Sequence, residues 1–501
     1  MDIFSNLALG FSVALSFQNL AYCFFGVFVG TAIGVLPGVG PLVTIAVLLP
    51  LTFGLPPESA MIMLAGIYYG AAYGGSTTAI LVNLPGEASA AVTCLDGYQM
   101  ARNGRAGAAL SISAIGSFVA GTIGTIIIAA FGPPLSKLAL HFGAPEFFSL
   151  ILLALITTAI LVRGSMLKGI ATAMLGVQFG LVGVDITSGV ERFTFGLPRM
   201  SDGIDFVVVA MGLFALAEIA VNLETVEKRE IFTSKIKGLW PTRDDLKRSA
   251  APILRGTAIG SFFGVLPGAG MTISSFAAYA VEKKLSKHPE KFGTGVIEGV
   301  ASPEAANNAS AQGSFIPTLT LGIPGSSVMA LMLGALMIQG ITPGPQVMTT
   351  HPQIFWGLIA SMWIGNLMLV ILNLPLVGLW VSMLRIPYRW LFPIILVFSC
   401  FGVYAVQFST MDLWMMVFFG VLGYVFLKIG CEAAPFILGF LLGPLLEEYF
   451  RRSMILSRGS LEIFVTKPIS AGILLVVLVV LASMLFPAIR KKKETVVISD
   501  G

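Results

Sequence analysis

Charge is what this sequence has least of. Only 11% of its 501 residues are Asp, Glu, Lys or Arg, against about 25% in a soluble globular chain. With a mean hydropathy of +0.90, too little polar surface exists to coat a water-soluble body of this size. No Lys or Arg precedes Arg102, so the opening MDIFSNLALG lacks the positive region of a cleavable signal peptide. No basic stripe interleaved with aromatics is present, which argues against nucleic acid as a partner. The four cysteines, Cys23, Cys94, Cys400 and Cys431, stand singly among apolar residues. Without CxxC or metal-ligand spacing they read as small packing residues. His141, His288 and His351 are isolated, and neither HExxH nor GxSxG occurs, which disfavours a zinc protease or a serine hydrolase. The glycine motifs are followed by no Lys-Ser or Lys-Thr, so they are not P-loops, and no ATP hydrolysis is expected. The chain is read as a non-enzyme with no cofactor and no transition metal.

What it does have is apolar length. Stretches of roughly 17–25 residues, each long enough to span a bilayer, recur about a dozen times. The 56 glycines and 27 prolines are compatible with membrane helices, where neighbouring helices can satisfy freed backbone groups. They point to close helix packing and broken helices. The expectation is an all-α polytopic membrane protein of about 12 transmembrane segments, with broken helices or re-entrant hairpins in two inverted repeats. Residues 1–222 form the first half, 223–251 a cytoplasmic linker, 252–489 the second half and 490–501 a cytoplasmic tail.

The repeat is visible in the motifs. Gly34-Val-Leu-Pro-Gly-Val-Gly40 recurs as Gly264-Val-Leu-Pro-Gly-Ala-Gly270, and Leu84-Pro85-Gly86 recurs as Ile323-Pro324-Gly325 at nearly the same separation and in the same order. Charge indicates that the halves have opposite orientation. Cations cluster at Arg102 and Arg105, between Lys228 and Arg248, at Lys283, Lys284, Lys287 and Lys291, and at Arg490-Lys491-Lys492-Lys493. The positive-inside rule places all four clusters, and hence the C-terminus, in the cytoplasm. The helix after the second-half glycine motif ends in cations, whereas its first-half counterpart ends at the uncharged Leu51–Pro57 stretch. The first-half Pro-Gly segment leads to Arg102 and Arg105, and its counterpart leads to the uncharged Gly340–Pro345 stretch. Both comparisons flip, as inverted-topology transporters require.

A Pro-Gly pair inside an apolar run ends one helix and starts another, because proline removes a donor and glycine permits positive φ. The new N-terminus presents free N–H groups and a positive dipole end, suited to a carboxylate. The expected anion contacts therefore lie at Pro37, Gly38, Gly40, Pro85, Gly86, Pro267, Gly268, Gly270, Pro324 and Gly325, with Ser76, Thr77, Thr78, Asn83, Ser326 and Ser327 beside them. Glu87, Glu304, Asn307 and Asn308 are the candidate seats of a coupling ion, Na⁺ or H⁺, since ionisable groups at membrane depth are functional candidates by default. A transporter is the first reading. A passive organic-anion channel and a non-transporting scaffold subunit are the alternatives.

Several longer stretches carry a resemblance. Gly34-Val-Leu-Pro-Gly-Val-Gly-Pro41, Leu64-Ala-Gly-Ile-Tyr-Tyr-Gly-Ala-Ala-Tyr-Gly-Gly-Ser76, Leu84-Pro-Gly-Glu87 and Leu95-Asp-Gly-Tyr98 resemble the first half of the large transmembrane subunit of the tripartite tricarboxylate transporters. Glu298-Gly-Val-Ala-Ser-Pro-Glu-Ala-Ala-Asn-Asn308, Leu319-Thr-Leu-Gly-Ile-Pro-Gly325 and Gly340-Ile-Thr-Pro-Gly-Pro345 resemble its second half. One departure is Ala301-Ser-Pro303, where the family pattern suggests Ala-Ala-Pro. The resemblance implies a multi-pass protein of the bacterial inner membrane. It implies two protein partners, a small transmembrane subunit and a periplasmic solute-binding protein. It also implies import of a small carboxylate, typically a di- or tricarboxylate, with Na⁺ or H⁺. Whether the chain forms a homo-oligomer is left open.

Overall fold

The computed structural model describes residues 3–36, 40–161, 165–185, 187–224, 239–266, 270–384 and 388–485. Among the described residues the regular structure is helical, apart from one two-stranded antiparallel pair, Gly183–Val184 with Glu191–Arg192. By length and composition, six helices among the described residues are able to cross a bilayer, and five further apolar helices there are shorter. The all-α membrane class is thus present, with six helices of spanning length where about 12 segments were expected; two of the shorter apolar helices, Pro41–Thr52 and Ser327–Ile338, directly follow motif breaks. The chain divides into two compact units, residues 1–140 with 205–433 and residues 141–204 with 434–501. This division by contact cuts across the division by repeat, because each sequence half contributes to both units.

The first unit opens with α1 (Ile3–Ala14), α2 (Phe17–Gly34), α3 (Pro41–Leu48), α4 (Pro57–Val82), α5 (Ala91–Met100) and α6 (Ala106–Ala139). Its second-half helices include α7 (Arg243–Val265), α8 (Gly270–Leu285), α9 (Glu298–Gly313), α10 (Phe315–Leu321) and α11 (Ser327–Ile338). Local chemistry sets the boundaries. Ser16 caps α2 by accepting from the Asn19 N–H, and α4 starts on Pro57 with Glu58 in its first turn. Thr242 and Asp245 form a capping box that starts α7 at Arg243, so the latter part of the expected 223–251 linker is helix. Residues 225–238 of that linker, and the 490–501 tail, lie outside the described residues.

The sequence repeat reappears as a packing repeat. Gly26, Gly30 and Gly34 lay α2 directly on the backbone of Met63, Ile67 and Ala71 in α4. A Cβ at these glycines would sit 2.3, 2.4 and 2.3 Å from the facing carbonyl oxygens. In the second half, Gly256, Gly260 and Gly264 lay α7 on Ser302, Ala306 and Ser310 of α9, where the same atom would sit 2.1, 2.2 and 2.6 Å away. The equivalent glycines are separated along the chain by the interval between the two Gly-Val-Leu-Pro-Gly motifs. Their partners are separated by the interval between the two Pro-Gly pairs. Small residues at every fourth position let backbones touch, which is how helices associate where water provides no drive.

The equivalent helices α4 and α9 meet antiparallel. Tyr69, early in the contact, donates to Gln312, while Ser76, seven residues on, lies beside Glu304. The flanking elements exchange in the same way. Helix α3 packs on α11, and its counterpart α8 packs on the turn Ala88–Ala90 that precedes α5.

In the second unit, Gly176 and Gly180 pack against the backbone of Phe436 and Phe440. Arg451, within the helix Ala434–Leu456, reaches Asp185 at 3.0 Å and Glu447 at 2.7 Å, and Arg192 pairs with both acids. The Ser188 hydroxyl and Thr187 N–H, with Arg192, hold the Asp185 carboxyl well below the usual carboxylate range.

Candidate functional site

All four sequence motifs fall where helices end. Helix α4 stops at Val82 because Asn83 takes the left-handed conformation, φ 59°. Helix α10 stops at Leu321 because Gly322 does the same, φ 71°. The chain then passes through Pro85-Gly86 or Pro324-Gly325 before the next helical turn. Gly86 is required there: a Cβ would lie 2.4 Å from the Gly75 Cα. The other two breaks separate Gly34 from Pro41 and Val265 from Gly270. Pro37, Gly38, Pro267 and Gly268 themselves lie outside the described residues.

A buried polar cluster built from both halves begins directly after the Pro85-Gly86 break. Ser89 Oγ donates to Glu87 Oε1, and Asn307 Nδ2 donates to the same oxygen at 3.1 Å. Glu304 is 1% exposed. It accepts from the Thr93 hydroxyl on Oε1 and from the Ser113 hydroxyl on Oε2 at 3.0 Å, with Ser76 alongside. Asn308 donates to Ser117 at 2.6 Å and to the Glu304 carbonyl at 3.1 Å. Tyr73 donates to the Ala114 carbonyl at 2.8 Å. Beside Tyr73, Thr77 and Ser113 is a cavity of about 10 Å³, room for a single water-sized group.

Two features of this cluster bear on its chemistry. The partners of Glu87 and Glu304 are hydroxyls and an amide, with no lysine, arginine or histidine among them. Asn307 Oδ1 is buried without a hydrogen-bond partner among the described residues. Oxygen donors without a fixed cation fit a proton or a hard monovalent cation. The described residues contain no group of three His, Cys, Asp or Glu arranged to hold a metal ion.

Not every expected contact belongs to this cluster. Thr78 donates to the Val35 and Gly74 carbonyls, at 2.7 and 3.1 Å, and so ties α4 to the end of α2. Thr77 bonds back to Tyr73 within its own helix. Asn83 and Pro85 are exposed. Gly40 caps α3 beside the Gly86 carbonyl and Glu87 Cβ, whereas Gly270, at φ 59°, begins α8 with nothing facing it. Pro324 and Gly325 are buried. Ser326 caps α11 by accepting from the Met329 N–H at 3.3 Å, and Ser327 is its half-buried first residue. The sequence reading missed Thr93, Ser113 and Ser117. Only the one-turn spacing of the two serines along α6 hinted that they share a face.

It also assigned no role to Asp96, which is fully buried. Its Oδ1 accepts from the N–H groups of Gly293, Gly295 and Val296, at 3.0, 2.8 and 2.9 Å, and its Oδ2 from the Tyr279 hydroxyl at 2.9 Å. One first-half carboxylate thus orders the loop between α8 and α9. Asp96→Ala would strand four donors and is expected to cost roughly 3 kcal/mol or more. Thermal unfolding in detergent checks this: an unchanged midpoint would mean the loop does not depend on this carboxylate. Asp96→Asn, which keeps one acceptor oxygen, should fall between the two.

Residues 20–438 match the tripartite tricarboxylate transporter TctA family. The chain belongs to that family. It is 55% identical over 500 residues to the uncharacterised 52.8 kDa protein in the TAR-I ttuC' 3' region of Agrobacterium vitis, covering 100% of both chains. It is 59% identical over 241 residues to the uncharacterised protein in the TAR-II ttuC' 3' region of the same organism, covering 48% of this chain and 100% of that one. No solved structure matches. Within the tripartite tricarboxylate transporter family, the duplicated breaks and the acid–amide cluster of this chain fall inside the matched residues.

Proposed function

We propose that this chain is the translocating subunit of a secondary transporter that imports a small di- or tricarboxylate by symport with Na⁺ or H⁺. It would work in the bacterial inner membrane with a small membrane subunit and a periplasmic solute-binding protein. The observation that carries this reading is the buried acid–amide cluster in the first unit, where Glu87, just after the Pro85-Gly86 break, is joined to Asn307 of the second half, and Glu304 to Thr93 and Ser113 of the first. Irregular backbone inside a membrane is tolerated where it lines a binding site. The helix starts at α3, α5, α8 and α11 offer N–H groups to the substrate carboxylates, with Ser326 and Ser327 beside them. The coupling ion would sit at Glu304 or between Glu87 and the free Asn307 oxygen. A buried carboxylate with no cationic neighbour calls for a companion positive charge, and a coupling ion is one. The antiparallel crossing of α4 and α9 supports two halves of opposite orientation, and alternating access would move the repeat tips against the remaining helices.

The test is uptake of a labelled carboxylate panel into proteoliposomes containing the three components under an imposed Na⁺ or proton gradient. Uptake requiring both the gradient and the binding protein is the expected result. Flux indifferent to both would favour a passive channel, and no flux from well-inserted protein would favour a scaffold. Rebuilding the second break as helix, by Pro324→Ala with Gly325→Ala, should lower uptake at least about a hundredfold, since small misplacements of a binding group cost that much. Unchanged uptake would remove the breaks from the site.

A further inference from the structure

A second site lies away from this cluster, where α7, the end of α8 and the segment leading to α9 enclose a cleft of about 440 Å³. Its cations are Arg248, Arg255, Lys287 and Lys291. Arg255 grips Glu282 with both ends of its guanidinium, at 3.0 and 2.5 Å, and Arg248 does the same to Glu298, at 2.8 Å for each contact. These two pairs fix the walls. Lys287 and Lys291 are exposed and have no acidic partner among the described residues, so the cleft keeps a surplus of positive charge. Beside Ser286 and His288, the rest of its lining is apolar: Ala251, Pro252, Leu285, Phe292 and Val296. Leu254, next to the lining Arg255 on α7, is 57% exposed, and the lining Leu285 is 60% exposed.

We propose that this cleft binds an anionic phospholipid, its phosphate held by Lys287 and Lys291 and its acyl chains lying along Leu254 and Leu285. A free phosphate-bearing solute would satisfy the lysines equally well. It would leave the apolar wall and the flanking exposed leucines without a partner, and so the lipid is favoured. The positive-inside rule puts these lysines at the cytoplasmic surface, where basic pockets between membrane helices meet anionic headgroups. The proposal is independent of the transported solute.

Native mass spectrometry of the detergent-solubilised full chain, mixed with phosphatidylglycerol and phosphatidylcholine, tests it. The protein should retain phosphatidylglycerol preferentially. Lys287→Ala with Lys291→Ala should weaken that retention about thirtyfold, the combined effect of two basic residues at an anionic headgroup. Lys283→Ala with Lys284→Ala removes two neighbouring cations that do not line the cleft, and should change it little. Three results would each overturn the proposal: retention unchanged in the first variant, an equal loss in the second, or displacement of the lipid by millimolar glycerol 3-phosphate. The last would identify a soluble phosphate ester as the ligand.

Discussion

Glu304→Gln is expected to lower gradient-driven accumulation at least about a hundredfold, equivalent to ~2.7 kcal/mol, while exchange of labelled for unlabelled substrate continues. Glutamine matches glutamate in volume and keeps one acceptor oxygen. The Thr93, Ser113 and Ser76 hydroxyls around it can each turn from donor to acceptor. Folding and helix contacts should therefore survive, and what disappears is the negative charge. A carboxylate held by hydroxyls alone, at 1% exposure, needs a companion positive charge, and a coupling ion supplies one transiently. Exchange needs only binding and reorientation with the substrate aboard, whereas accumulation needs the ion to leave. If accumulation and exchange fall together, Glu304 serves binding or folding. If neither falls, coupling belongs elsewhere, and Glu87→Gln becomes the decisive variant, because Glu87 accepts from Asn307, whose own Oδ1 has no partner among the described residues.

The second large effect is structural. Gly260→Val should prevent the protein from reaching a monodisperse folded state in detergent, a loss of more than about 3 kcal/mol. The new Cβ would stand 2.2 Å from the Ala306 carbonyl oxygen and 2.8 Å from its carbon and Cα. These are backbone atoms, so no rotamer relieves the clash, and only separation of α7 from α9 would. That separation would displace Asn307 and Asn308, the next residues along α9. Gly30→Val, the equivalent change in the first half, meets Ile67 in the same manner, at 2.4 Å, and should fail equally. Gly378→Ala, where nothing lies within 4 Å of the added atom, is the control. Size-exclusion profiles of the three variants decide the matter. A folded Gly260→Val protein would mean that the helices can pack at a larger distance.

Parts of this architecture were legible in the chain. Pro85-Gly86 and Pro324-Gly325 marked the neighbourhood of their breaks, since a proline lacks an N–H, although the residues whose positive φ ends the helices are Asn83 and Gly322 just before them. The residue types of the candidate site were legible for a similar reason, as Glu, Asn and Ser are costly inside an apolar run and stand out there. Their partners were not. Thr78 and Ser76 are two residues apart and read alike. Thr78 is committed to the end of α2, while Ser76 sits beside Glu304 from the other half. Asp96 looked like one polar residue in a short motif, because the loop it orders lies far along the chain.

By itself, the sequence determined that this is a polytopic helical membrane protein with a duplicated plan, for composition and motif order are properties of the chain alone. It marked the neighbourhood of the breaks at the Pro-Gly pairs, but not every stop, since Pro133, Pro134, Pro252 and Pro303 lie inside helices that continue through them. Only the tertiary structure decided which faces meet. The glycine ladders carry no indication of their partners until α2 lies on α4 and α7 on α9. The joining of Glu87 to Asn307, and of Glu304 to Thr93 and Ser113, depends on the antiparallel crossing of α4 and α9. Helix crossings are settled by the summed fit of many small contacts over long separations, and that sum has no local signature in the chain.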